Sequence, residues 1–235
     1  MPHTDTILFY LIFPATAKRY KIFWMPLMKI DYTFAKTWIK PQSRILDLGC
    51  GDGELLAYLQ RTLLVTGYGI ELNEDKINTA IGKGLCIIEQ DLNDGLARFN
   101  DNSFDTVVMM RALQAVKNPK ELLIDMLRVG KEGIVTFPNF AYWQNRVYLG
   151  LKGIMPVSET IPYEWYNTPN IHLCTFKDFE RLCDDNNITI LDSIAVSDSP
   201  LPKRLPKVLH TGLAHAVKHA PNLLADVAVY RITKG

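Results

Sequence analysis

Three glycines at alternate positions, Gly49, Gly51 and Gly53, follow directly on the apolar run "RILDL" and precede a segment with helical spacing. A bend without side chains lets a ligand approach the backbone closely and tolerates a tight turn. Glu71 stands eighteen residues after Gly53, at the end of the next apolar run. A carboxylate there can accept both hydroxyls of a ribose. Asp91 follows a third run, twenty residues further on, where a side chain can reach an adenine amino group. A dinucleotide would favour GxGxxG, with a helix N-terminus facing the pyrophosphate. Here Asp52 lies inside the bend and Asp47 just before it. Two acids repel phosphate and suit a nucleoside whose far end carries an ammonium and a sulfonium. The blander reading is turn glycines and solvated acids. The joint agreement of spacing and strand position favours the binding crevice.

The elements that must position these groups alternate along the chain. "RILDLG", "VTGYGIEL", "LCIIEQ", "SFDTVVMM" and "GIVTFPN" read as strands. Between them, a helix from about Glu54 buries Leu55, Leu56 and Leu59. A second carries an apolar stripe of Ile77, Ala80 and Ile81. A third is capped by Asn118, has Pro119 at its first position and Glu121 three past the cap, buries Leu122, Leu123, Met126 and Leu127, and is closed by Gly130. This alternation predicts a three-layer, Rossmann-like α/β fold whose mostly parallel sheet is covered on both faces. "ITILDSIAV" and "DVAVYRI" have no clean helix-only link, so they are predicted to close the sheet edge, with the last strand antiparallel.

"LDLGCGDG", the acid after the second strand and "QDL" resemble the class I S-adenosylmethionine (SAM)-dependent methyltransferases over roughly residues 40–138. Four longer stretches carry a closer resemblance: "SRILDLGCGDGELLAYL", "LQAVKNPKELLIDMLRVGKEGIVTFPNFAYW", "GIMPVSETIPYEWYNTPNIHLCTFKDFE" and "PNLLADVAVYRI". They are similar to the methionine biosynthesis protein MetW family over nearly the whole chain from about Ile30. The match includes residues 153–175, which generic methyltransferases do not share. The resemblance implies a pocket for SAM or S-adenosylhomocysteine (SAH) formed by Asp47, Gly49, Cys50, Gly51, Gly53, Glu71, Leu72, Asp91 and Leu92. It also implies a role in methionine synthesis in support of homoserine O-acyltransferase. It strengthens the fold more than a methyl-transfer reaction.

SAM is already activated, so methyl transfer needs alignment and exclusion of water more than an acid–base pair. "PYEWYNTPNIHLC", residues 162–174, offers Tyr163, Trp165, Tyr166, Asn170 and His172 between two prolines. Such a loop can line a small-molecule site or grip a partner. His172 and Tyr166 are the weak catalytic candidates. In the blander reading His172 bonds to backbone and the aromatics cover the sheet edge. Thr175 followed by Asp178 reads as a helix cap. Phe140, Trp143, Val147 and Tyr148 share one helical side and read as core or interface. Two readings of function stay open: a SAM-fold partner protein, and a methyltransferase acting on a small molecule.

The bulk properties bound the rest. The 235 residues fit one domain at 31–235, with the family-specific segment at 140–175. A net charge of +1 gives no argument for nucleic acid or an anionic membrane. The basic segment 203–218 reads as a solvated or protein-docking face. Cys50, Cys86, Cys174 and Cys183 contain no CxxC and read as reduced thiols of a cytoplasmic protein, three of them core fillers. His172 and Cys174 supply only half a metal site, so no metal is expected. Residues 1–30 depart from the family pattern. They read either as a surface-bound amphipathic arm or as an extension upstream of a true start at Met25 or Met28. Their apolar run is too short to span a bilayer.

Overall fold

The computed structural model describes residues 20–23, 36–158, 160–196 and 220–235. The expectations for the basic segment 203–218 and for most of the N-terminal extension fall outside these residues. Strand β1 (Tyr20–Phe23) is the part of the extension that is described.

The remaining strands are β2 (Arg44–Leu48), β3 (Thr66–Glu71), β4 (Ile87–Glu89), β5 (Phe104–Met110), β6 (Gly130–Pro138), β7 (Ile188–Val196) and β8 (Val227–Lys234). They form one sheet in the order β1-β7-β8-β6-β5-β2-β3-β4. Parallel pairs run from β6 through β5, β2 and β3 to β4, and β1 is parallel to β7. β8 is antiparallel to both its neighbours, β6 and β7. The expected mostly parallel sheet with an antiparallel last strand is therefore present. That strand lies inside the sheet, however, and β7 and β1 lie beyond it.

The helices are α1 (Glu54–Leu63), α2 (Glu74–Gly82), α3 (Pro119–Val129), α4 (Trp143–Lys152), α5 (Phe176–Asp185) and a single turn, α6 (Pro221–Leu224). Side chains alternate across the strands and divide the core into two layers. Leu46, Leu48, Phe104, Val107 and Phe137 pack with α3 and α5. Ile45, Val108, Ile134 and Val229 pack with Leu55, Leu59 and Leu63 of α1 and with Trp38. Each fully buried Leu, Ile or Phe contributes roughly 1.5–3 kcal/mol of transfer free energy, so both sheet faces are occupied by apolar strands as a parallel sheet requires.

The helix stripes agree with the sequence reading except at their margins. Ile77 and Ala80 are buried in α2, but Ile81 is exposed, because it lies at the stripe's edge where no strand covers it. Asn118 makes no side-chain cap bond to α3, although Pro119 does begin the helix. Gly130 ends α3 with extended backbone (φ −110°) and starts β6 at once, so that strand begins three residues earlier than expected. Thr175 and Asp178 form the expected capping box on α5. Of the thiols, Cys183 alone is fully buried, Cys50 and Cys174 are half-buried and Cys86 is exposed, so the expectation of three core fillers is corrected to one. Among the described residues no helix is long and apolar enough to cross a membrane.

Candidate functional site at the strand tips

β2 ends in the glycine bend. Gly49, Gly51 and Gly53 all have positive φ (70°, 59° and 74°), a region that L side chains adopt only with strain. The amides of Gly49 and Cys50 both donate to the carbonyl of Ile70 at 2.9 Å, which fastens the bend to the end of β3. A Cβ placed on Gly51 meets no protein atom within 4 Å and points into open space. A Cβ on Gly53 would collide with Leu85 and Ala80. The space beside Gly51 is therefore open, while Gly53 lets the start of α1 pack against α2.

Glu71 ends β3 and bonds with both oxygens. Oε2 accepts from the Gly51 amide at 2.9 Å, and Oε1 accepts from the amides of Leu72 at 2.9 Å and Asn73 at 3.0 Å. The Gln90 amide donates to the Glu71 carbonyl at 3.1 Å, which sets the exit of β4 beside the tip of β3. Asp91 follows and caps a 3-10 turn. Its Oδ1 accepts from the Asn93 amide at 2.9 Å and from Asn93 Nδ2 at 2.7 Å. Leu92 packs partly on the core beside this turn, and Leu72 is exposed on the preceding bend. Asp47, Gly49, Cys50, Gly51 and Glu71 thus meet at the adjacent tips of β2 and β3. Leu72, Asp91 and Leu92 lie on the two bends that follow.

The two acids of the bend differ in setting. Asp52 is tied to α2, since Lys83 Nζ donates to its carbonyl at 2.8 Å and to its Oδ2 at 3.1 Å. Such a partly exposed pair adds little stability but fixes the loop. Asp47 is the buried acid, 2% exposed on a central strand. Burial, reinforced by the charges of Asp47 and Glu71, pushes the Cys50 thiol up to about 12. Cys50 is therefore a neutral wall of the bend and not a nucleophile.

The strap of residues 162–174 is pinned to the turn after β5. The Gln114 carbonyl accepts from the amides of Ile171 at 2.9 Å and His172 at 3.1 Å. His172 Nε2 donates to the Lys117 carbonyl at 3.1 Å. Its ring is thus bonded to backbone. Tyr166 stands 70% exposed, edge-on to Trp165 at 5.8 Å between centroids. Among the described residues no three His, Cys, Asp or Glu side chains gather as a metal site.

Several positioning residues had no signal as site residues in the sequence. Buried Gln114 anchors the strap. Asn93 links Asp91 to Lys117, whose amide donates to Asn93 Oδ1 at 2.8 Å. Buried Asn139, at the end of β6, donates through Nδ2 to the carbonyls of Ala225 at 2.6 Å and Asn222 at 3.1 Å. Only Asn139 left a trace, as an amide directly after the apolar run of β6. A cavity of about 340 Å³ lies between the Asp91 turn and α3, lined by Leu92, Asn93, Val116, Leu122 and Arg128 among others. It includes neither Gly51 nor Glu71.

Residues 29–232 match the family described as methionine biosynthesis protein MetW. A curated relative from Rhodopirellula baltica, the bifunctional methionine biosynthesis protein MetXA/MetW, is 35% identical over 196 residues. The match covers 80% of this chain and 30% of that relative's length. Among solved structures, a SAM-dependent methyltransferase from Archaeoglobus fulgidus is similar with a TM-score of 0.60 at 16% identity, over 88% of this chain and 93% of that one. The [4+2]-cyclase SpnF is similar with a TM-score of 0.58 at 18% identity, over 88% and 80%. At these identities the structural likeness shows the fold, which is that of the class I methyltransferases.

Proposed function

The chain belongs to the methionine biosynthesis protein MetW family, and we propose that it holds SAM or SAH at the strand tips and supports methionine synthesis by pairing with homoserine O-acyltransferase. The observation that carries the nucleoside reading is the bond from Gly51 to Glu71 beside a glycine whose missing side chain leaves open space. In this reading Glu71 Oε2, which accepts one amide and keeps a second acceptor site, takes a ribose hydroxyl, Asp91 the adenine amino group, and Leu72 and Leu92 flank the base. Asp47 and the acidic bend suit a ligand that ends in an ammonium and a sulfonium. Gly49 and Gly51 admit it to the backbone, with Cys50 as a neutral wall and Gly53 holding the start of α1 behind them. SAM, when bound, supplies an activated methyl group, and SAH is what remains after its transfer.

The partner reading is supported by the Rhodopirellula relative, which carries MetXA and MetW in one protein. A nucleoside-binding partner of an early enzyme in methionine synthesis would sense a downstream product and bias that enzyme accordingly, provided the nucleoside favours one partner-binding state. The second reading, methyl transfer to a small molecule, is favoured by the fold shared with SAM-dependent methyltransferases. The same fold carries a [4+2]-cyclase, so the fold alone does not choose the reaction.

Stoichiometric mixing with the acyltransferase of the same organism tests the pairing. A rise in acylation rate is expected, and an unchanged rate removes the partner role. Calorimetry with SAM and SAH, each with and without the acyltransferase, tests the pocket, and no heat with either nucleoside removes it. Turnover of SAM to SAH with an added acceptor, at an unaltered acylation rate, establishes the second reading instead.

A further inference from the structure

Helix α4 turns its apolar face outward. Its one buried residue is Asn145, whose Nδ2 donates to the carbonyls of Asn139 and Phe140. Trp143, Val147 and Leu151 recur at every fourth position and are all exposed, Leu151 to 84%, and Ile154 continues the row past the helix end. Positions i, i+4 and i+8 lie on one side of a helix, and Asn145 lies roughly opposite. This is the pattern of a helix packed into a core, with the core absent. The strap adds Trp165, Tyr166, Ile171 and Leu173, also exposed. The Phe140 amide donates to the Cys174 carbonyl at 3.0 Å, which brings the end of the strap beside the chain entering α4.

Together the exposed parts of these side chains amount to the order of 800 Å², one partner's share of a standard interface. α4 carries Arg146 and Lys152 and no carboxylate, so the rim of its stripe is basic. The partner that fits is a protein with an apolar face bordered by acids. In the Rhodopirellula relative, the MetXA and MetW parts are kept at high local concentration by the chain itself. An apolar face of this size would hold the same two activities together by contact.

We propose that the row Trp143, Val147, Leu151 and Ile154, with Trp165 and Tyr166 of the strap, is the surface on which homoserine O-acyltransferase docks, an inference that rests on the partner reading above. The test uses the full chain and the acyltransferase in sedimentation velocity, with the double variant V147E/L151E. Both positions face solvent, so folding and SAH binding are expected to persist, and calorimetry with SAH checks this. Affinity for the acyltransferase is expected to fall at least 100-fold. Ile81→Glu, an exposed apolar position on α2, is the control and is expected to bind as the wild type does. Wild-type affinity in the double variant overturns the surface while leaving the partner reading intact. No complex with the wild-type chain overturns the partner reading itself. A wild-type homodimer that the double variant abolishes, with acyltransferase binding unaltered, assigns the surface to a second copy of the chain and overturns the proposal.

Discussion

At the scale of single residues, Glu71 joins the glycine bend to the proposed nucleoside. Its two oxygens already accept three backbone amides, one from the bend and two from the start of the next loop. Replacing it with glutamine keeps the shape and one acceptor oxygen. The new amide group would then oppose either the Gly51 N–H or the Leu72 and Asn73 amides, donor against donor. Glu71→Gln is therefore expected to weaken SAH binding nearly as much as Glu71→Ala. Loss of one charge-assisted bond at about 1.5–3 kcal/mol corresponds to roughly a 10- to 100-fold rise in Kd. Calorimetry reads this, with thermal denaturation as a check on folding. A Glu71→Gln protein that binds SAH as tightly as the wild type would show that the carboxylate serves the loop alone. The type and spacing of Gly51, Glu71 and Asp91 were legible in the sequence because each lies at or within three residues of a strand's end, and strand ends can be read from local hydrophobicity. Asn93, Lys117 and Gln114 were not, because their roles come from contacts made across the molecule by ordinary polar residues in loops.

At the scale of elements, β8 shows what local pattern can and cannot tell. The absence of a clean helix-only link before it predicts the antiparallel direction. Its place between β6 and β7 depends on partners such as Glu132 and Arg231, 99 residues apart, and nothing in the strand's own residues names them. Arg231 grips Glu132 with two parallel bonds, Nε to Oε2 and Nη2 to Oε1, both 2.8 Å, with both side chains about three-quarters buried. Arg231→Lys keeps the charge and loses the fork. It is expected to cost about 1–2 kcal/mol, read as a lower urea midpoint with an unchanged slope. An unchanged midpoint would mean that the ladder alone seats β8. α4 teaches the complementary lesson. Its row of apolar residues reads equally as core or interface in sequence, because periodicity reports that a face is apolar and is silent on what covers it. Ile81 differs from Ala80 for a similar reason, since one position at the margin of a stripe decides exposure and only the neighbouring strand fixes that margin.

At the scale of the whole molecule, the two proposed surfaces are joined by a short hydrogen-bonded path. Asp91 Oδ1 holds Asn93 Nδ2, Asn93 Oδ1 holds the Lys117 amide, and the Lys117 carbonyl holds His172 of the strap. His172 is flanked by Ile171 and Leu173, whose side chains are exposed, on the strap that carries Trp165 and Tyr166. A nucleoside that engages Asp91 would fix the first member of this path and reduce the freedom of the last. Coupling of this kind requires that strap order differ between the bound and free states. Hydrogen exchange of the amides in residues 163–174 reads that difference directly. SAH is expected to slow exchange there in the wild type. Asn93→Ala cuts the path at its centre, so at saturating SAH the strap amides are expected to exchange as in the free protein. The effect of SAH on acyltransferase affinity, expected at about 5- to 150-fold for a coupling of 1–3 kcal/mol, should shrink towards none in the same variant. If wild-type strap exchange is indifferent to SAH that calorimetry shows to be bound, the pocket stands and the path carries nothing. If Asn93→Ala preserves the protection, the strap is ordered through Gln114, whose carbonyl also holds Ile171 and His172, and the coupling runs through the turn after β5 instead.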